Sequence, residues 1–339
     1  MKKRILSILC AATMMLTLCA CGNSGNESGS SSSEGKKLTK VTLGMTTWPT
    51  NELYHLAKEK GIFEQNGLDV NIQEFSSTTD SLSAFAGGKI DFCTAPSSET
   101  IAPYGEGGDF SVVLISDKSN GCEGLIAKSD IKKVEDLKGK TIATQLYSVD
   151  HMFLLTLLDD AGMSDKDVNI VDMSIQNSGN AFIAGQCDAA CVWDPYFSNA
   201  KNAGGTVLYS SEDNPNLITD TLVASSDMVN NNETAVNAIV KSFFEARKYW
   251  IDNPDDANTI MASKMGVDKE EFANEMKGLI IPDIEEELNL FKPADDYTYW
   301  AFTQNKIQKF MKDLGAINNE INCEKMLNDK FVKNYAESK

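Results

Sequence analysis

The chain has 339 residues, with 31 basic and 49 acidic side chains and a net charge of −18 at pH 7. So acidic a balance argues against nucleic acid as a partner and against broad adsorption to anionic lipid. The length allows about two ordinary domains with ample core.

Lys2, Lys3 and Arg4 precede an apolar run from Ile5 to Leu18, followed by Leu18-Cys19-Ala20-Cys21. This is a charged segment, a short hydrophobic segment and a small residue before a cysteine. The pattern resembles a bacterial lipoprotein signal spanning residues 1–20, with Cys21 cleaved free, acylated and anchored. Cys19 is the poorer acceptor because the bulky Leu18 stands before it. The apolar run falls short of the ~20 residues a bilayer span needs. From Gly22 to Gly35 nearly every residue is Gly, Ser, Asn or Glu, so residues 21–39 read as a flexible tether. Loss of residues 1–20 takes Lys2, Lys3 and Arg4 from the basic count and brings the net charge to −21. The expected location is the extracytoplasmic face of a membrane, with the lipid as the attachment.

Beyond the tether, Val41–Met45 reads as a strand and Asn51–Lys60 as a helix ending at Gly61. Leu68–Ile72 alternates like a strand, and Ser76–Asp80 caps a helix running to Ala86. Ile90–Thr94 is a third strand, Ser97-Ser98-Glu99 caps another helix, and Val112–Ile115 makes a fourth strand. A second set follows: strand Thr141–Thr144, helix Val149–Asp160, and strands over Val168–Met173, Ala189–Trp193 and Thr206–Tyr209. After residue 225 helical patterns dominate, at Glu233–Trp250, Ala257–Met265, Lys269–Lys277 and Trp300–Leu314. The alternation predicts an α/β protein of two domains, each a mainly parallel sheet flanked by helices. Domain 1 is expected over residues 40–121 with 225–339 and domain 2 over 122–224. The crossings near 120–125 and 222–228 act as hinges, and the C-terminal helices lie on the first domain.

Several blocks carry a family resemblance. Trp48-Pro49 follows the first strand, and Leu56-Ala57-Lys58-Glu59-Lys60-Gly61-Ile62-Phe63 runs on to Leu68-Asp69-Val70. Ala86-Gly87-Gly88-Lys89-Ile90-Asp91-Phe92, Val134-Glu135-Asp136-Leu137-Lys138-Gly139-Lys140 and Ala189-Ala190-Cys191-Val192-Trp193-Asp194-Pro195-Tyr196 follow in order. Together they resemble the solute-binding proteins of the nitrate/sulfonate/taurine transporter family. That family also includes binders of the thiamine pyrimidine precursor and the related fungal pyrimidine synthases. The resemblance implies a two-lobed venus-flytrap receptor of the type II periplasmic-binding-protein fold. Such a receptor hands its solute to an ABC permease and its ATPase. It implies a monomer with no cofactor, no metal and no catalytic residue.

Ligand contacts are expected where strands end and helices begin. These positions are Thr47 and Trp48; Ser76 and Thr78; Ser97, Ser98 and Glu99; Asn120 and Gly121; Gln145, Tyr147 and Ser148; Asn177; and Trp193 with Asp194. Trp48 and Trp193 each follow a strand directly, one in each domain, so closure can bring two indoles onto one flat ligand. Tyr54 and Tyr147 are candidates for the same aromatic wall, and His151 lies within reach of Tyr147-Ser148. Ser97, Ser98 and Ser148 serve equally well as helix caps or as anion contacts. The only arginines are Arg4 and Arg247, so the guanidinium fork that suits a sulfonate or nitrate is absent from every cleft segment. The residues therefore favour a heteroaromatic or amine-bearing solute, with an anion of the nitrate/sulfonate/taurine type as the alternative. A pyrimidine-synthase-like enzyme is the rival class, but its Cys-Cys-Cys-Phe-Cys cluster does not occur here. Cys93, Cys122, Cys187, Cys191 and Cys323, odd in number and widely spaced, read as buried apolar residues and not as a disulfide framework.

Overall fold

The computed structural model describes residues 37–339; the signal segment, Cys21 and most of the tether lie outside the described residues. Eleven strands form two sheets: β1 Thr39–Thr46, β2 Leu68–Phe75, β3 Phe92–Pro96, β4 Phe110–Ser119, β5 Glu123–Ala127, β6 Thr141–Thr144, β7 Asn169–Asp172, β8 Ala189–Trp193, β9 Thr206–Ser210, β10 Thr219–Ser225 and β11 Leu279–Ile280. The first sheet has the order β11-β4-β10-β3-β1-β2 and the second β7-β6-β8-β5-β9. β1 buries Val41, Leu43 and Met45 against the helices that cover the sheet, as a parallel strand with layers on both faces must.

Most strands of each sheet run in one direction, as expected, and the strands at the two crossings, β5 and β10, run against it. The chain leaves the first sheet after Ser119 and enters the second at Glu123; β5 inserts antiparallel between β8 and β9. It returns after Ser210, and β10 inserts antiparallel between β3 and β4. The return crossing thus lies at residues 211–218, ahead of the expected 222–228, and β10 belongs to the first sheet. These inserted strands are packed tightly on both faces. A side chain at Gly124 of β5 would stand 2.2 Å from the Phe197 ring, so only glycine fits there.

The helix Trp300–Asp313 also departs from expectation. Trp300 is buried in the core beside Cys93 and Val112 of the first sheet, whereas Ile307 and Met311 pack into the core of Leu154 and Leu158 on the second. Tyr297 Oη donates to Asp160 at 2.8 Å, and Lys306 Nζ reaches Asp160 at 2.7 Å and Asp159 at 2.9 Å. The helix is therefore a strap across both sheets and not a decoration of one. All five described cysteines are free and buried. No described helix is long and apolar enough to cross a membrane.

Candidate functional site

The ends of β1, β3, β4, β8 and β10 converge with the start of β5 on one cavity of about 180 Å³. Three consequences of strand geometry furnish it with acid. Along Asp117-Lys118-Ser119 the side chains alternate, so Asp117 and Ser119 face the cavity while Lys118 points away to Glu286, 3.8 Å distant. β10 runs antiparallel to β4 with Asp220 opposite Asp117, so both carboxylates line the same wall. Glu123, the first residue after the crossing, closes the floor, and Glu99 enters from the short 3-10 turn Ser97–Thr100 that follows β3.

Like charges directly opposite across two strands have Cβ atoms about 5 Å apart, a repulsion of about 3 kcal/mol at an effective dielectric of about 20. That is about two pH units of proton affinity, so the empty pair gives up its second proton at a distinctly higher pH than a free aspartate does. Burial raises the proton affinity of Asp117 and Asp220 above the usual carboxylate range, and the charge of Asp117 adds to the effect on Asp220. Burial, with the charge of Asp117 adding, likewise pushes Glu123 up to about 7. Glu99 is raised by burial, partly countered by the Thr78 hydroxyl. No lysine, arginine or histidine lines this cavity.

Polar groups around the carboxylates are organised. Trp48 Nε1 donates to Asp117 Oδ2 at 3.2 Å, which ties one indole to the charged wall. Glu123 accepts from Cys122 Sγ at 3.2 Å, from Ser211 Oγ at 3.3 Å and from Ser119 Oγ. Ser211, on the return crossing, also lies 2.6 Å from Ser119 Oγ and accepts from the Gly121 amide at 2.7 Å. The floor of the cavity is thus a knot that joins both crossings. Trp193, at the end of β8, lines the cavity together with Trp48 and packs against the second-sheet core of Ile175, Phe182, Val192 and Phe197.

A second, larger cavity of about 830 Å³ adjoins the first; Glu99 and Trp193 line both. Gln145, Tyr147 and Ser148, which precede the helix Val149–Asp160, form one side of it. Tyr147 N–H donates to Nδ1 of His151 at 3.1 Å, and burial lowers the His151 pKa to about 4, so that nitrogen stays a free acceptor at neutral pH.

The sequence-predicted residues sort into three groups. Thr47, Trp48, Thr78, Glu99 and Trp193 come together at the inner cavity, and Gln145, Tyr147 and Ser148 at the outer one. Others serve the scaffold. Tyr54 is fully buried, its ring tilted against Phe243 with centroids 5.5 Å apart, because it lies on the core face of its helix and not on the cleft face. The Ser97 hydroxyl is held by Thr219 Oγ1 at 2.6 Å and Trp300 Nε1 at 2.8 Å, and Ser98 faces a void of only about 10 Å³. Ser148 caps its helix, accepting from the His151 amide at 3.4 Å, and His151 is buried behind Tyr147. The remaining five fall outside both cavities: Ser76 and Asn177 are exposed, the Asn120 amide is bonded to Gly278 O at 2.7 Å, and Gly121 takes a φ of +100° in the crossing. Asp194 is exposed, and its Oδ1 caps the Ser198 amide at 2.8 Å. Reading the strands only as apolar runs missed Asp117, Glu123 and Asp220. The available signal was an acid immediately after an apolar stretch in Ile115-Ser116-Asp117 and Ile218-Thr219-Asp220.

Comparison with known proteins agrees with this architecture. A Bacillus subtilis protein whose name assigns it to aliphatic sulfonates is 26% identical over 340 residues, covering 98% of this chain and 96% of its own. The taurine-binding periplasmic protein of Escherichia coli is 31% identical over 197 residues, 57% of this chain and 61% of its own. The crystal structure of the periplasmic aliphatic sulphonate binding protein SsuA from Escherichia coli superposes with a TM-score of 0.70 at 22% identity, covering 85% of this chain and 97% of that one. The family model described as NMT1/THI5 like matches residues 49–257, more than half of the chain, and the chain belongs to that family.

Proposed function

We propose that this protein is the extracytoplasmic solute-binding component of an ABC importer, capturing a small amine-bearing or heteroaromatic solute between its two sheets. The observation that carries the reading is the cross-strand pair Asp117–Asp220, joined by Glu123 and Glu99 in a cavity walled by Trp48 and Trp193. Buried carboxylates without a basic partner cost free energy in the empty protein, and a bound cation relieves that cost. Indole faces add attraction for a cation or a flat ring. The knot of Ser119, Glu123 and Ser211 connects the ligand to both crossings, so ligand charge and lobe closure are coupled. The two sheets with their helices act as the two lobes, the receptor works as a monomer delivering to a permease and its ATPase, and Cys21 carries the lipid. The role is binding and not catalysis, a reading supported by the binding-protein names of the relatives.

The names of the relatives favour a second reading, an anion of the sulfonate, taurine or nitrate type. Its expected contact, the helix N-terminus at Ser148, holds the buried carboxylate of Asp150 in its first turn. A thermal-shift screen with amines, amidines and aminopyrimidines against taurine, alkanesulfonates and nitrate separates the two. Stabilisation by cationic compounds alone supports the first reading; stabilisation by the anions alone replaces it with the second. Fractionation of cells carrying Cys21→Ser tests the anchor, with release from the membrane expected.

A further inference from the structure

We infer that the outer cavity is a second subsite of this receptor, and that its solute is bipartite: a cationic head in the inner cavity and an elongated apolar or aromatic tail in the outer one. The inference rests on the cation reading of the inner cavity and extends it. At about 180 Å³ the inner cavity falls below the roughly 300–1,000 Å³ typical of small-molecule sites, whereas the outer cavity, at about 830 Å³, falls within that range. Glu99 and Trp193 line both, so a tail leaving a head seated on the carboxylates passes along these two residues from one cavity to the other.

The outer wall has the chemistry of a tail site. Leu82, Pro103 and Met311 supply apolar surface, and Gln145 and Ser148 are polar groups on its rim. Tyr147 is the decisive residue. It is 54% exposed, among the few large hydrophobic side chains so presented, and it has a φ of +64°, the only described non-glycine residue in the left-handed region. A bulky side chain in that conformation is strained and persists where surrounding structure holds it, a pattern that clusters at ligand clamps. Here the holder is His151, whose ring accepts the Tyr147 amide at 3.1 Å and meets the tyrosine ring edge-on at 6.1 Å. Packing within the protein alone gives no reason to project this ring into an open cavity. A flat or apolar tail lying between Tyr147 and Met311 gives one.

Matched pairs of probes test the subsite: 4-aminopyridine with its N-(4-phenylbutyl) derivative, and benzamidine with 4-(4-phenylbutyl)benzamidine, titrated by calorimetry. The tailed member of at least one pair should bind about tenfold or more tighter than its head. Tyr147→Asn, which tolerates the left-handed backbone but lacks the ring, should remove that gain and leave head affinity within about twofold. Tyr147→Gly should do the same, which guards against a folding artefact of either variant. Equal or weaker binding of the tailed members, or a gain that survives both variants, overturns the subsite and leaves the receptor reading intact. Failure of every head and every tailed probe to bind overturns the cation reading, and the subsite with it.

Discussion

The two tryptophans that frame the cavity are set differently. Trp48 is bonded through its indole nitrogen to Asp117, a buried carboxylate of the first sheet. Trp193 stands at the end of β8 on the second sheet, half-buried, backed by apolar neighbours, and it reaches both cavities. One indole is part of the charged wall, bonded to it; the other stands where the two cavities meet. On the proposed reading, the Asp117–Asp220 pair places most of the charge recognition on the first sheet, with Glu123 contributed by the second, and Trp193 adds shape recognition from the second.

The largest effect should come from removing charge on the first-sheet side. Asp117→Asn keeps an oxygen able to accept from Trp48 but deletes the carboxylate. Loss of a buried charged partner typically costs about 2–5 kcal/mol, so affinity for a cationic solute should fall about thirtyfold to several thousandfold by calorimetry. Unchanged affinity would break the assignment of charge recognition to this wall. The indoles come next. Trp48→Ala and Trp193→Ala should each weaken binding by about thirtyfold, the usual consequence of losing a buried aromatic anchor. Phenylalanine sharpens the contrast: Trp48→Phe also strips Asp117 of its donor and should cost more than Trp193→Phe, which preserves the ring face. Equal losses would mean that the two rings play one role.

These positions show how far the sequence could be read. Trp48 and Trp193 were legible because each directly follows a strand whose apolar run is unmistakable, Leu43-Gly44-Met45 and Ala189-Ala190-Cys191-Val192. The strands β6 and β8 and the helix Val149–Asp160 fall at the expected residues for the same reason. Asp117 and Asp220 were not legible, because their meaning depends on β10 inserting between β3 and β4. That pairing is a long-range event with no local signature. Tyr54 misled because a helix start near a strand end is consistent with a cleft residue, whereas the burial of its face against Phe243 is decided by a helix almost two hundred residues later.

A smaller effect concerns stability and pH in the empty protein. Glu123, pushed up to about 7, and Asp117, Asp220, Asp150 and Glu287, all raised by burial, hold protons in the folded state that the unfolded chain releases near pH 4. Between those values the native state binds more protons, so stability falls as pH rises. The melting temperature should drop from pH 5 to pH 8, and Asp117→Asn should flatten the slope. A rising profile would contradict the assigned protonation. The smallest effect belongs to the strap. Lys306→Ala removes a partly exposed ion-pair cluster with Asp159 and Asp160. It should lower the melting temperature by no more than about 2 °C, with binding unchanged. A large loss of affinity would move the control of closure from the crossings to the helix Trp300–Asp313.

The most direct test of the central claim, that the inner cavity exchanges protons for a cationic head group, is calorimetry of one cationic solute in buffers of different ionisation enthalpy between pH 5.5 and 8. The carboxylates lose protons when the cation enters, so binding should release about one proton per solute near pH 6.5, and affinity should rise as pH increases. Proton uptake on binding, or affinity that rises toward acid pH and is matched by a sulfonate, would contradict the account.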